Sequence, residues 1–253
     1  MSVLSELQER RDRECRLTPD RAIETLEDAE AFLRDRGLLT RNPDSSLPSL
    51  FGACHEEPYR PGAGGFGEWP RTKWPWSFEL AGRPGVLAPK IHVGKTLYLS
   101  AEAARLVDPI VRAELDRMTE ADESWARVLE HLADAGPSSP DDLRVELGLR
   151  QEDLKAIRAP LERCGALVTR LDPAGDEYES VLYRWDQLYP EPAGGPPVLG
   201  PLVVAAVRAA VVVAEPEPAR WFSWRWRWED GLLDRLVGEG SLLRPEPGWL
   251  AAP

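Results

Sequence analysis

Residues 124–185, SWARVLEHLADAGPSSPDDLRVELGLRQEDLKAIRAPLERCGALVTRLDPAGDEYESVLYRW, carry the topology of the chain. Trp125, Val128, Leu129 and Leu132 recur at helical spacing until Gly136-Pro137, a pair that stops a helix. Ser139-Pro140-Asp141-Asp142 then supplies an N-cap, a proline in the first turn and acids at the positive end of the helix dipole. That short helix extends to Leu147 and closes at Gly148. Leu154, Ile157 and Leu161 predict a third helix over Gln151–Arg163, with Pro160 an expected kink and Cys164-Gly165 the stop. Ala166–Leu171 and Tyr178–Trp185 read as two strands around a turn-rich loop, Asp172 to Asp176. Three helices followed by strand, loop and strand is the order of a winged helix.

The same plan recurs downstream. Leu202–Val213 is a strongly apolar helix, Pro216–Trp224 a second short one and Trp228–Val237 a third. Gly240–Arg244, the turn Pro245–Gly248 and Trp249–Ala251 repeat the strand, loop and strand in miniature. Tyr189–Pro197, rich in Pro and Gly, is a linker by composition. Upstream, Leu26, Ala29, Phe32 and Leu33 mark a helix near Thr25–Arg36, and Ala101–Arg117 another. Residues 58–76, PYRPGAGGFGEWPRTKWPW, hold three tryptophans among Pro and Gly and predict a long ordered loop. Lys90–Val93 and Thr96–Ser100 around Gly94-Lys95 predict a tight hairpin. The expected fold is mainly α with small β-hairpins, an α+β arrangement of tandem winged-helix units. Its units are 1–120 (elaborated), 121–190 (central) and 199–253 (C-terminal).

Composition bounds the chemistry. At 253 residues with 43% hydrophobic and 29% charged side chains, the chain has material for a sizeable core. Cys15, Cys54 and Cys164 are too sparse for a disulfide framework and lack zinc-ligand spacing, as do His55, His92 and His131. The charged start has no secretory signal, and the apolar run Leu202–Ala214 is too short to span a bilayer. A cytoplasmic protein without cofactor, metal or membrane attachment is expected. Gly62–Gly67 lacks the Gly-Lys-Ser/Thr ending of a phosphate loop, and Gly94-Lys95-Thr96 lacks its upstream glycine.

The net charge is −12, with residues 121–190 alone at −7. Residues 60–95 run the other way: Arg60, Arg71, Lys73, Arg83, Lys90 and Lys95 face only Glu68 and Glu79. Within this island Arg71, Lys73, Lys90 and Lys95 could pair phosphates, and Trp69, Trp74 and Trp76 could stack on bases, with His92 alongside. Filling the core beneath the loop is the equal alternative for these aromatics. If the third helix of the central unit enters a major groove, Arg150, Lys155 and Arg158 reach the nucleic acid. In Arg220–Trp228, Trp221, Trp224 and Trp228 would share one face of a helix as a core stripe, or else form an aromatic patch for a partner.

Pro48–His55, Trp74–Leu80, Lys90–Ser100, the central unit and Arg220–Trp224 together resemble the AlkZ-related winged-helix proteins, distant relatives of bacterial interstrand-crosslink DNA glycosylases. The resemblance spans about 200 residues and implies tandem winged helices and DNA-related work. Enzymes of that group carry a catalytic Gln-x-Gln or Gln-x-Asp in the N-terminal part, positioning a water against the sugar. The glutamines here are Gln8, Gln151 and Gln187, so the N-terminal motif is absent. Gln151-Glu152-Asp153 spells Gln-x-Asp at the start of a helix, where an acid complements the dipole. Three functions follow: a DNA-associated protein of repair or regulation, an acidic scaffold docking proteins through its winged helices or Arg220–Trp228, or a glycosylase using another acid. Glu56, Glu57 and Glu79 border the island and are the carboxylates to consider for the last.

Overall fold

A computed structural model describes residues 2–174 and 177–253 of the chain. The N-terminal third holds α1 (Val3–Glu14), α2 (Leu26–Arg36), β1 (Leu38–Thr40), the single turns α3 (Leu50–Ala53) and α4 (Trp76–Glu79), β2 (Leu97–Leu99) and α5 (Ala101–Ala121). Helix α2 starts at a reciprocal cap in which Thr25 accepts from Asp28 N at 3.0 Å and Asp28 accepts from Thr25 N at 3.1 Å. α1, with no buried residue, gives no apolar stripe and was invisible to periodicity.

The central third follows the sequence closely: α6 (Glu123–Ala135), α7 (Pro140–Glu146), α8 (Gln151–Cys164), β3 (Leu167–Ala174) and β4 (Glu177–Arg184). Asp122 caps α6 by accepting from Ser124 N at 2.8 Å, and Ser139 caps α7 by accepting from Asp142 N at 3.1 Å. α8 runs as one helix through Pro160 and ends at Gly165 with φ +88°. A Cβ there would lie 2.9 Å from Val111 Cγ2, so both conformation and space call for glycine. β3 and β4 are antiparallel with Leu167 opposite Arg184, and Ser138 bridges to Leu182 on the other edge. The loop expected over Asp172–Asp176 is corrected in part, because Asp172–Ala174 continue β3, while Gly175 and Asp176 lie outside the described residues.

Beyond the short helix α9 (Trp185–Leu188), the C-terminal third comprises α10 (Gly200–Ala210), β5 (Val212–Ala214), α11 (Leu232–Gly238) and β6 (Trp249–Ala251). Three expectations are corrected here. The apolar helix predicted to Val213 ends at Ala210, because Val211 turns at φ +69° and Val212–Ala214 pair with Trp249–Ala251. Val212 and Val213 are β-branched and pack well in a strand. The helix predicted over Pro216–Trp224 is one 3-10 turn at Pro218–Arg220, because Ser223 N donates to Ile91 O at 2.9 Å instead of to a carbonyl four residues back. The helix predicted from Trp228 begins only at Leu232, after Gly231 in the left-handed region.

The predicted Lys90–Ser100 hairpin is also corrected. Only the turn is present, with His92 and Lys95 exchanging backbone hydrogen bonds of 3.2 and 2.8 Å across Val93 and Gly94, both at positive φ. Leu97–Leu99 pair instead with Leu38–Thr40, antiparallel. That ladder sorts its side chains by pleat: Leu38, Leu97 and Leu99 enter one core, while Leu39 and Tyr98 enter a second with Phe32, Leu50 and Phe51. The first core continues through α5, the central third and Trp221, Trp224 and Leu250, so all three thirds of the chain share it.

Two buried carboxylates clamp this shared core. Asp108 accepts from Trp185 Nε1 at 2.7 Å, Arg112 Nε at 2.8 Å and Ala193 N at 2.8 Å, tying the 189–197 linker to α5. Glu114 accepts from Arg117, Arg227 and Trp226, tying α5 to the C-terminal third. No helix among the described residues is long and apolar enough to cross a membrane.

Candidate nucleic-acid interface

The structure breaks up the basic island. Lys73 donates to Ile23 O at 2.7 Å and to Glu24 at 3.1 Å, with its side chain only 16% exposed. Lys95 pairs with Asp44. Arg83 reaches Glu27 at 3.0 Å and Glu30 at 3.6 Å. His92, expected beside the ligand, is 3% exposed: its Nδ1 donates to Trp221 O at 2.6 Å, and Nε2 lies 3.4 Å from Asp44. It joins the N-terminal third to the C-terminal one. A charge window counts cations but not the carboxylates that other segments bring to them.

The aromatics of the 58–76 loop pack on one another and on Phe51 and Phe78 outside it. Trp69 lies 5.4 Å from Phe51, 4.5 Å from Phe66 and 6.0 Å from Phe78 by ring centroids, and Trp74 lies 6.1 Å from Phe78. Trp76 is covered by Lys73 at 5.4 Å. Backbone bonds from Tyr59 to Trp69 (2.8 Å) and from Arg60 to Gly67 (2.8 Å) zip the loop into a ribbon. Arg71, Tyr59 and Phe66 remain exposed on it.

The three carboxylates do not gather into one site. Glu56 accepts from the backbone of Thr72 at 2.7 Å and Lys73 at 3.1 Å, fixing the loop, while Glu57 and Glu79 are exposed. Gln151 is exposed, and Asp153 is held by Arg150 at 2.8 Å, a hydrogen bond that lowers the Asp153 pKa. Burial pushes the thiols of Cys15, Cys54 and Cys164 up to about 11, about 12 and about 11, leaving none poised as a nucleophile. Among the described residues no group of three or more His, Cys, Asp or Glu side chains is placed to hold a metal ion.

What the structure does bring together is Lys90 and the third helix of the central unit. Lys90 Nζ donates to Glu162 at 2.6 Å, and Glu162 also accepts from Arg158 at 3.0 Å and from the Thr169 hydroxyl. Burial raises the Glu162 pKa, but Lys90, Thr169 and Arg158 outweigh it and hold the carboxyl below its ordinary value. Lys90 borders two concavities. One, about 430 Å³, runs along α8 past Arg144, Lys155 and Arg158. The other, about 210 Å³, lies between the N-terminal third and β3 and is bordered by Arg41 and Arg170.

Together they form a track of six cations: Arg41, Arg170, Lys90, Arg158, Lys155 and Arg144. The carboxylates paired with them are Glu162, Asp172 and Asp141, which leaves a surplus of positive charge on a strongly acidic protein. Arg150 is exposed near the start of α8 but is neutralised by Asp153. Arg41 and Arg170 escaped sequence reasoning because they lie outside the 60–95 window. Their only local signal was a place at the end of an apolar strand or within one.

In Arg220–Trp228, Trp221, Phe222 and Trp224 are buried, but through a turn and not the expected helical stripe. Trp224 Nε1 donates to Cys164 O at 3.0 Å and Ser223 N to Ile91 O at 2.9 Å, so the segment plugs the core. Only Trp226 among its aromatics is well exposed, at 57%.

No protein-family model matches this sequence, and no curated protein matches it. Among solved structures, the Streptomyces sahachiroi DNA glycosylase AlkZ is similar with a TM-score of 0.56 and 14% identity, over 99% of this chain and 70% of that one. The likeness extends along the whole chain and is one of fold.

Proposed function

We propose that the chain is a DNA-associated protein built of tandem winged-helix units, in which DNA lies along the track from Arg41 and Arg170 through Lys90 to Arg158, Lys155 and Arg144. The observation that carries this reading is the convergence at Lys90: two concavities from different thirds of the chain meet there and share a positive surplus. The central third has the element order of a winged helix, with the Ser138–Leu182 bridge supplying its third strand. The C-terminal third has a matching plan, with β6 flanked by β5 and by Leu243. The whole-chain likeness to an enzyme named a DNA glycosylase supports a DNA ligand. Hydrolysis of an N-glycosidic bond is outside the proposal, because Glu56, Glu57 and Glu79 do not line the track and the N-terminal third has only Gln8 as glutamine.

A titration of fluorescent duplex, single-stranded and abasic DNA at two salt concentrations tests the reading, with Lys155→Glu as the variant. Lys155 is exposed and has no carboxylate within 4.0 Å among the described residues, so its replacement leaves the ion-pair networks intact. The expected result is salt-sensitive binding to duplex whose logarithmic salt slope falls by roughly 1 in the variant, the share of one phosphate contact. Absence of binding at low salt, or a variant indistinguishable from the parent, would refute it.

A further inference from the structure

Arg41 forms no ion pair within 4.0 Å among the described residues, and the carboxylate that acts on it from further away, Asp44, is paired with Lys95. Arg41 leaves β1 at the point where that strand ends, and its carbonyl accepts from Phe51 N at 3.0 Å, which fixes the backbone. The side chain lies over the Trp69 ring at 4.4 Å from the centroid. Among the described residues no carboxylate comes within 4.0 Å of it, and its buried Nε has no hydrogen-bond partner. Burial pulls its pKa below the ordinary arginine value, the mark of a charge taken partly out of water. Such a group is costly unless something pairs with it.

The cleft that Arg41 borders offers little competition for an anion. Ser77 Oγ already donates to Trp74 O at 2.9 Å, and the Tyr98 hydroxyl to Ser77 O at 2.9 Å. Lys90 and Arg170 stand on the rim with their own carboxylates, Glu162 and Asp172, outside the lining. No Asp or Glu lines the cleft. Its roughly 210 Å³ equals the share of liquid volume of about seven waters, ample for a tetrahedral oxyanion. The planar fork of arginine, held against an indole face, is suited to receive two oxygens of one phosphate.

We infer that this cleft is a phosphate-binding pocket, with Arg41 as its principal ligand and Lys90 and Arg170 as long-range support. The assignment of DNA phosphate as the natural source rests on the proposed DNA association, whereas the pocket itself does not.

Calorimetric titration of the full chain with inorganic phosphate tests the pocket directly. Arg41→Met, Arg41→Lys and the exposed control Arg60→Gln are compared with the parent. The expected outcome is phosphate binding weakened about ten- to hundredfold in Arg41→Met, the range of one charge-assisted hydrogen-bonded contact, partly kept in Arg41→Lys and unchanged in Arg60→Gln. Far-UV circular dichroism of the variants confirms folding, and Arg41→Lys keeps a charge beneath Trp69 should the methionine variant unfold. Competition by 5′-phosphorylated against 5′-hydroxyl oligonucleotides separates the sources. A preference for the phosphorylated form assigns a terminal phosphate, and equal competition assigns the backbone diester. No phosphate binding by the parent, or binding indifferent to Arg41, overturns the pocket. Arg41-dependent phosphate binding without any DNA binding upholds the pocket and overturns the DNA reading.

Discussion

Replacing Glu114 by Gln should separate the C-terminal third from α5 at a calculable cost. The carboxylate is fully buried and accepts from Arg117 Nη2 at 2.6 Å, Arg227 Nε at 2.6 Å and Trp226 Nε1 at 3.1 Å. Glutamine keeps the volume and one acceptor oxygen but removes the charge and turns an amide donor toward an arginine. Breaking a buried pair by neutralising one partner costs about 3–5 kcal/mol when the other charge stays buried. Arg117, 44% exposed, is rehydrated and contributes little, whereas Arg227, 19% exposed, is not. The net cost is therefore about 2–3 kcal/mol. For a chain of this size that is a fall of roughly 5–10 °C in Tm. Urea unfolding followed by circular dichroism and by tryptophan emission reads it. The double variant Glu114→Gln/Arg227→Met should recover part of the loss, because the stranded cation is gone. A single variant within about 0.5 kcal/mol of the parent would refute the claim that Glu114 clamps the shared core.

Other outcomes follow from the same geometry. Gly165→Ala places a Cβ 2.9 Å from Val111 Cγ2 and 3.1 Å from Ile91 Cγ2 at φ +88°, so a loss of about 2–4 kcal/mol is expected in denaturant unfolding. Glu162 has a folded pKa below its unfolded value near 4.5, so its contribution is complete above that pH and is lost as pH falls through the folded value. Glu162→Gln should accordingly be less stable than the parent at neutral pH and show a shallower decline on acidification, measured by Tm against pH. Asp108→Ala removes the acceptor shared by Trp185, Arg112 and Ala193, and faster proteolysis within residues 189–197 should accompany a lower Tm.

The central third was legible because its helices carry their own caps and stops: Ser139 before Pro140, Gly136 and Gly165 after the last turns. Such signals are local and survive translation into structure. Long-range pairing was not legible. Leu97–Leu99 find Leu38–Thr40 from nearly sixty residues away, so a hairpin inferred from the nearby Gly94-Lys95 turn took the wrong partner. The site suffered from the same blindness. Lys73 and Lys95 look free in sequence, yet Glu24 and Asp44 are folded against them, while Arg41 looks ordinary and has no carboxylate within 4.0 Å among the described residues. For this reason replacing Lys73, Lys90 and Lys95 together would test ion-pair integrity more than ligand binding, and Lys155 is the cleaner probe. Of the stripe expected from helical spacing, Trp221 and Trp224 are in the core, but a turn buries them where a helix was expected, and Trp228 is only half-buried.

Hydrogen–deuterium exchange of the full chain with and without duplex DNA tests the central claim most directly. Slowed exchange is expected in peptides covering residues 38–41, 90–92, 140–146 and 155–172, segments that border the track, with no change at residues 220–228. Protection confined to residues 220–228, or no protection at saturating DNA, would contradict it.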